Sequence, residues 1–327
     1  MPPISTTDIG IEVHLDADDW TAGLRREALD GLTATPKELS PTWLYDERGC
    51  ALFEAITALP EYYPTRAERA ILDARSGEIA RLSGADTLVE LGSGTSAKTR
   101  LLLDALDATG QLRRFVPFDV AEPTLRTAAT TIARAYPGLR VDGVVGDFRR
   151  HLGAIPSGGR RLFALLGGTI GNLLPAAREQ FFSALTATMV SGDTLLLGAD
   201  LVKDPVRLLA AYDDAAGVTA EFDKNVLLVL NRELGADFDL ERFDHVAMWD
   251  ETEDWIEMRL RSRGEQDVRV PGLGVTLRFA DGEELRTEIS AKFRPARLQA
   301  ELLTAGLMPL RFWTDPAGDF ALTLSAR

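Results

Sequence analysis

The sequence predicts an α/β protein: a doubly wound, mainly parallel sheet with an antiparallel terminal hairpin, joined to a second, smaller α+β domain. Three observations carry this. Between residues 87 and 212, short apolar runs alternate with amphipathic stretches, the rhythm of βα units around a parallel sheet. After about Ala220 the pattern changes to strands with period-two alternation, which suits an antiparallel sheet. The last segment then returns to a helix and two strands around a turn. A length of 327 residues fits two domains at roughly 150 residues each.

In chain order, Thr87 to Leu91 reads as a strand, followed by a glycine turn and a helix from about Ser96 to Leu106. Phe115 to Val120 and Arg140 to Val145 are strands flanking a helix over Glu122 to Tyr136. Leu162 to Leu166 is a fourth strand, with a helix over about Ala176 to Met189, and Thr194 to Leu201 is a fifth. Pro205 to Tyr212 begins another helix, and Val226 to Leu234 looks helical. Five such units imply a sheet whose ligand lies off the carboxyl ends of the strands. In Trp255 to Arg261, the apolar Ile256, Met258 and Leu260 share one face, and Glu257 and Arg259 the other. Leu285, Thr287, Ile289 and Ala291 likewise oppose Arg286, Glu288, Ser290 and Lys292. A helix over about Ala296 to Thr304 and a hairpin around Asp315 to Asp319 finish the larger sheet with an antiparallel edge. The first 66 residues read as mixed helix and loop that pattern alone does not place.

Composition narrows the function classes. There are 36 basic against 50 acidic residues, a net charge of -14, which argues against the basic footprint that nucleic-acid binding needs. Cys50 is the single cysteine, so an internal disulfide is excluded. The three histidines, His14, His151 and His245, are far apart and no C-x-x-C or H-x-x-x-H spacing occurs, so the expectation is no metal. The acidic N-terminus lacks the form of a signal peptide, and no apolar run approaches the ~20 residues that span a bilayer. These features lead us to expect a cytoplasmic protein with no membrane partner, and a monomer by default.

The chemistry begins at Glu90-Leu-Gly92-Ser-Gly94-Thr95, at a strand-to-helix turn. Glycines there let the backbone approach a ligand, and the helix start offers free N–H groups. Gly92-Ser-Gly94-Thr-Ser-Ala97 also fits the G-x-G-x-x-A dinucleotide fingerprint, with Asp119 near the offset of a ribose-binding acid. The plain alternative is a tight turn with no ligand. Two further features favour another cofactor. Glu90 ends its strand, where a carboxylate suits a cationic amino-acid moiety better than a pyrophosphate. Gly146-Asp147-Phe148 ends the third strand, giving an acceptor for an adenine amino group beside an aromatic face, although Asp147 could equally cap the following turn. The three acidic positions resemble those of the class I, Rossmann-like S-adenosylmethionine-dependent methyltransferases.

More specific blocks flank this core. They are Thr42-Trp-Leu-Tyr45-Asp-Glu-Arg-Gly-Cys-Ala-Leu-Phe53 with Leu59-Pro-Glu-Tyr62-Tyr-Pro-Thr-Arg66, then Val89 to Arg100, Gly167-Gly-Thr-Ile-Gly-Asn172 and Ala211-Tyr212 to Thr219. Thr287-Glu288-Ile-Ser290-Ala-Lys-Phe293 and Trp313 to Phe320 complete the set. From about Leu32 to Arg327 the chain resembles the ergothioneine-pathway L-histidine Nα-methyltransferases. The resemblance implies a methyltransferase domain over residues 67–202 and 293–327, and a histidine-binding domain over 1–66 and 203–292. It implies S-adenosyl-L-methionine as methyl donor, contacted by Glu90, Gly92, Gly94, Lys98, Asp119, Asp147 and Phe148. Tyr62, Asn172 and Tyr212 would hold the amino and carboxylate groups of L-histidine. Glu288 and Ser290 would bind the imidazole, with Met258 lining it. The implied product is hercynine, the Nα-trimethylated histidine, formed in the first step of the pathway.

Elementary chemistry agrees with this set. Glu288 and Ser290, two apart on a strand, point to one face and can meet the two ring nitrogens of an imidazole. Alternation alone would instead make them a solvated polar face. Tyr62 could simply pack at a turn, Asn172 could be a turn residue after Gly171, Lys98 a surface charge, and Met258 ordinary core. Tyr45 and Tyr62 are the candidates for relaying the proton that the amine must lose. Tyr45 and Phe53 could face the quaternary product through cation–π attraction. Two departures are Thr95 in place of a third loop glycine and Gly168 where serine is frequent, which is expected to loosen that loop. Other readings stay open: methylation of another amino acid or small amine, an NAD-dependent dehydrogenase, or a non-catalytic S-adenosylmethionine sensor.

Overall fold

The computed structural model describes residues 9–15, 17–94, 96 and 98–327. The chain starts with β1 (Ile9–Val13), α1 (Ala17–Thr33), β2 (Lys37–Glu38), α2 (Glu47–Thr57) and α3 (Pro64–Ser83). Then come β3 (Thr87–Leu91), α4 (Thr99–Asp107), β4 (Arg114–Asp119), α5 (Glu122–Ala135) and β5 (Arg140–Val145). They are followed by β6 (Arg161–Leu165), α6 (Pro175–Thr188), β7 (Thr194–Asp200), α7 (Pro205–Tyr212) and α8 (Val218–Leu234). Five strands come next: β8 (Phe243–Asp250), β9 (Trp255–Ser262), β10 (Gln266–Val270), β11 (Val275–Phe279) and β12 (Glu284–Ala291). The chain closes with α9 (Pro295–Thr304), β13 (Met308–Thr314) and β14 (Phe320–Ala326).

Two compact units result. The larger comprises Met1–Leu15, Pro64–Leu201 and Phe293–Arg327. Its eight-stranded sheet has the order β1-β5-β4-β3-β6-β7-β14-β13. The strands from β1 to β7 are parallel, and β14 runs antiparallel between β7 and β13. The parallel strands β3, β6 and β7 are buried along their whole length, which explains why they read as unbroken apolar runs. The strand order reverses at β3, with β4 on one side and β6 on the other, so the ligand crevice is expected off the carboxyl ends of these strands. Residues 9–13 were expected with the smaller domain. They instead pair with β5 as the edge of this sheet. Their mostly exposed side chains gave the sequence no burial signal to follow.

The smaller unit comprises Asp16–Tyr63 and Val202–Lys292. Its main sheet has the order β2-β12-β9-β8, with a separate β10-β11 hairpin. Helices α1, α2, α7 and α8 supply apolar residues such as Leu24, Ile56, Leu208 and Val226 to one core with Ile256, Met258 and Leu260 from β9. Helix α8 starts eight residues before the sequence-expected Val226, because its first turns bury Thr219 and Asp223 rather than aliphatic side chains.

Strand β12 departs from simple alternation. Leu285 faces Leu260 and Arg286 faces Arg259, but Glu288 then faces Met258 and Ser290 faces Ile256. Thr287 is the extra residue of a β-bulge. Directly opposed residues share a face, so the bulge carries Glu288 and Ser290 onto the face of Met258 and Ile256. The solvated-face alternative for this pair is overturned, since both are buried.

A buried ion pair fixes the far end of the larger sheet. The Arg161 guanidinium donates to Asp193 at 3.0 and 2.6 Å and to the Thr188 carbonyl at 2.8 Å, and both charged residues are fully buried. Removing one partner of such a pair leaves an uncompensated charge. Asp193→Ala is therefore expected to lower unfolding stability by about 3–5 kcal/mol in urea titration. A loss below about 1 kcal/mol would show the pair to be solvated.

Candidate active site

In the larger unit, the acidic candidates gather at the carboxyl ends of adjacent strands. Glu90, near the end of β3, is buried and accepts from Ser96 Oγ at 2.9 Å and from Thr99 Oγ1. Asp119 ends β4 and accepts from the Gly94 N–H at 2.8 Å and the Ala121 N–H at 2.9 Å. The neighbouring Gly92 and Ser93 N–H groups donate to the Phe118 carbonyl at 2.8 and 3.1 Å, so the loop is stitched to β4. Gly92 and Gly94 have φ of +71° and +47° with open space where a Cβ would stand, the left-handed conformation that favours glycine. Thr95 and Ala97 lie outside the described residues. Helix α4 starts at Thr99, three residues after the expected start, since Ser96 has a φ of +52°.

Burial is the main cause that pushes the Glu90 carboxyl up to about 7. The hydroxyls of Thr99 and Ser96 and the charge of Lys98 oppose the rise, and Asp119 adds to it. Burial also raises Asp119, against its backbone N–H donors. Two carboxyls held this way favour a cationic or hydroxyl-bearing ligand that would relieve their desolvation.

Asp147 follows β5 and is buried. Its carboxylate accepts from the Arg149 N–H at 2.8 Å and from the Arg149 guanidinium at 2.8–3.1 Å. Phe148 packs edge-on against Phe181 with centroids 5.5 Å apart. Lys98 pairs with Glu68, a fully buried residue of α3 whose other oxygen accepts from the Gly167 N–H at 2.8 Å. Lys98 is thus no solvated surface charge. Glu68 ties α3 to the loop that leads to Asn172, which ends a 3-10 turn over Thr169–Asn172. Gly168 has a φ of +72°, so glycine suits this turn and a serine would be strained there.

The smaller unit holds the other candidates. Tyr45, Phe53, Tyr62, Tyr212 and Phe222 form a chain of ring contacts with centroids 5.4–6.2 Å apart. Burial first, then the nearby Glu288, Tyr62 and Tyr212, holds the Tyr45 phenol well above its ordinary range. Tyr212 Oη lies 2.7 Å from Ser290 Oγ. Lys292 Nζ donates to both at 2.8 Å. Met258 is buried opposite Glu288. Behind these, Asp223 accepts from Thr287 Oγ1 at the bulge and lies 2.7 Å from His245 Nδ1. His245 Nε2 lies 2.8 Å from the Tyr212 carbonyl. Burial alone would lower the proton affinity of His245, but the hydrogen bond and charge of Asp223 override it and raise the pKa.

Residues 24–327 match the family described as "Histidine-specific methyltransferase, SAM-dependent". The chain belongs to this family. It is 57% identical over 319 residues to the histidine N-alpha-methyltransferase of Mycobacterium tuberculosis (strain CDC 1551 / Oshkosh), covering 98% of this chain and 99% of that one. It is 58% identical over 314 residues to the histidine N-alpha-methyltransferase of Mycolicibacterium smegmatis, covering 96% and 98%. A more distant relative, ergothioneine biosynthesis protein 1 of Neurospora crassa, is 31% identical over 312 residues, 89% of this chain and 33% of that protein.

The larger unit of this methyltransferase suits the S-adenosylmethionine its family uses. Among the described residues, Ser93 Oγ is buried without a hydrogen-bond partner, and a buried hydroxyl left unpaired is costly unless a ligand meets it. Open space beside Gly92 and Gly94 and the two raised carboxyls complete the fit. Sequence reasoning missed Glu68, Asp223, His245 and Lys292. Only Lys292 left a signal, two positions beyond Ser290 in the same alternating series.

Glu90 gives a pH-linked test. Between pH 4.5 and about 7, the native protein holds a proton on Glu90 that the unfolded chain has released. Its contribution to stability therefore falls as pH rises through that window. Glu90→Gln is expected to flatten this fall by up to about 3 kcal/mol relative to the wild type, read by urea unfolding of the ligand-free protein at several pH values. Parallel curves for the two proteins would show that Glu90 ionises as an ordinary carboxyl.

Proposed function

We propose that this methyltransferase trimethylates the α-amino group of L-histidine to hercynine, the opening reaction of ergothioneine biosynthesis. The observation that carries the reading is the pair Glu288 and Ser290, turned by the bulge onto the buried face of Met258. A buried carboxylate beside a buried hydroxyl suits a ring with one N–H and one bare nitrogen. The names of the mycobacterial relatives support the same substrate, and the fungal relative's name supports the pathway.

S-adenosylmethionine supplies an electrophilic methyl group on a sulfonium. In this reading Glu90 faces its cationic amino-acid end and Asp119 its ribose, and Gly92, Gly94 and Lys98 shape the loop and its support. Asp147 and Phe148 take the adenine, which requires the Arg149 guanidinium to share or yield the Asp147 carboxylate. Asn172 keeps the role the resemblance gives it, a partner of the amino acid's polar groups, as do Tyr62 and Tyr212.

The amine must lose its proton before each attack. With its phenol held well above the ordinary range, Tyr45 cannot serve as a standing phenolate. It acts with Tyr62 as a relay, passing a proton on as it takes one. Each methylation removes an N–H donor, and the final product has none left. The ring faces of Tyr45 and Phe53 then receive a quaternary cation without hydrogen bonds. Acceleration comes mainly from positioning and exclusion of water, because a thioether is already a good leaving group.

Glu288→Ala is expected to weaken histidine binding by about 1–3 kcal/mol, measured calorimetrically, with S-adenosylmethionine affinity unchanged. Full histidine affinity in that variant would remove the imidazole from Glu288.

A further inference from the structure

His245, in β8, has both ring nitrogens engaged. Nδ1 lies 2.7 Å from Asp223 Oδ2 in α8, and Nε2 lies 2.8 Å from the Tyr212 carbonyl. The two side chains are 2% and 0% exposed. A carbonyl only accepts hydrogen bonds, and so does an ionised carboxylate. A neutral imidazole has one N–H and one bare nitrogen. In either tautomer the bare nitrogen would present a lone pair to an acceptor at hydrogen-bonding distance. Only the doubly protonated ring donates to both. The proton belongs on the imidazole rather than on Asp223, because a carboxyl is the stronger acid and the other Asp223 oxygen accepts from Thr287 Oγ1. The helix end favours the cation further. Tyr212 is the last residue of α7, where helix carbonyls point outward and the dipole is negative.

We propose that His245 is held as an imidazolium and, with Asp223, positions the amino-acid site: the ring fixes the end of α7 that carries Tyr212, and the carboxylate fixes the bulge that carries Glu288 and Ser290. The inference rests on the reading of these three residues as partners of the substrate histidine, with Tyr212 on its amino and carboxylate groups. His245 and Asp223 act through the chain segments they hold, which makes them positioning residues. One proton shared across this pair lets a single buried unit set the spacing between the Tyr212 end and the Glu288 end of the site. Burial would discharge a lone imidazolium, and the hydrogen bond and charge of Asp223 oppose this.

The other charged groups near the ring come from each element packed on β8. Asp213, which follows α7, adds a smaller attraction for the proton. Asp244, beside His245 in β8, is paired with Arg263 and lies near Lys224 of α8. On β9 the residue opposite His245 is Leu260, and the flanking Arg259 and Arg261 are paired with Glu257 and Glu284. The flanking arginines are thus met by carboxylates of their own.

The first test is nuclear magnetic resonance of the full chain carrying ring-labelled histidine. The chain has three histidines, so His245 is assigned by the signal lost in His245→Asn, or by elimination with His14→Gln and His151→Gln. At about pH 7.5, one unit above the ordinary histidine value, an exposed ring is about nine-tenths neutral. His245 is expected to show two N–H groups there. A bare ring nitrogen on His245 at that pH would overturn the proposal, and this measurement is made on the wild type whether or not a variant folds. The second test is kinetic, at the same pH. Asparagine places its amide where Nδ1 stands and glutamine where Nε2 stands, so His245→Asn and His245→Gln each cut one link. Each is expected to raise the KM for histidine about tenfold. The kcat and the KM for S-adenosylmethionine are expected to stay within about twofold of wild type, because a loosened site holds ground state and transition state equally less well. An unchanged histidine KM in the folded variants, or a loss of kcat alone, would reduce the pair to a structural prop and overturn the proposal. A wild type that does not methylate histidine would instead defeat the substrate reading beneath it, whatever the charge on His245.

Discussion

One extra residue in a strand sets the chemistry of the smaller unit. Without the bulge at Thr287, strict alternation would send Glu288, Ser290 and Lys292 to the face opposite Leu285, among Glu257 and Arg259. With it, they lie on the face of Met258 and Ile256. A bulge breaks the ladder and leaves a residue unpaired, so something must hold it. Thr287 Oγ1 donates to Asp223 and to the Met258 carbonyl, the latter at 2.9 Å. Asp223 in turn holds His245, which reaches the Tyr212 carbonyl. A single buried carboxylate therefore fixes both the strand that presents Glu288 and Ser290 and the helix end that presents Tyr212.

The larger unit shows the opposite economy. Its glycine turn with Glu90, and Asp119, come from two short stretches of sequence, and the parallel strands bring them to one edge. Here stability is set against binding. Glu90 and Asp119 are desolvated, and the Ser93 hydroxyl has no partner among the described residues. Such groups lower the stability of the ligand-free fold and are relieved when a ligand of matching chemistry is present.

What the sequence disclosed follows from the same physics. Strands β3 to β7 were legible within a few residues because parallel strands buried along most of their length are apolar runs bounded by turns. The glycine loop and its acids were legible because that site is local in sequence. Helix α3 was not, since the stripe it buries includes Glu68, Ser76 and Ser83 beside Ile71 and Leu72, which blurs the apolar period. Period-two counting placed Glu288 and Ser290 on the wrong face, because a one-residue bulge leaves no trace in composition. The role proposed for them came from family resemblance, not from alternation. Asp223 and His245 carried no signal at all: their pairing depends on how α8 packs against β8.

Acceptance of histidine by this buried face is what the proposed chemistry requires. Its most direct test is mass spectrometry of the purified protein incubated with S-adenosylmethionine and a mixture of all the common L-amino acids. Histidine is expected to gain three methyl groups while the others remain unmodified. Methylation of a different amino acid, or no methylated product, would contradict it.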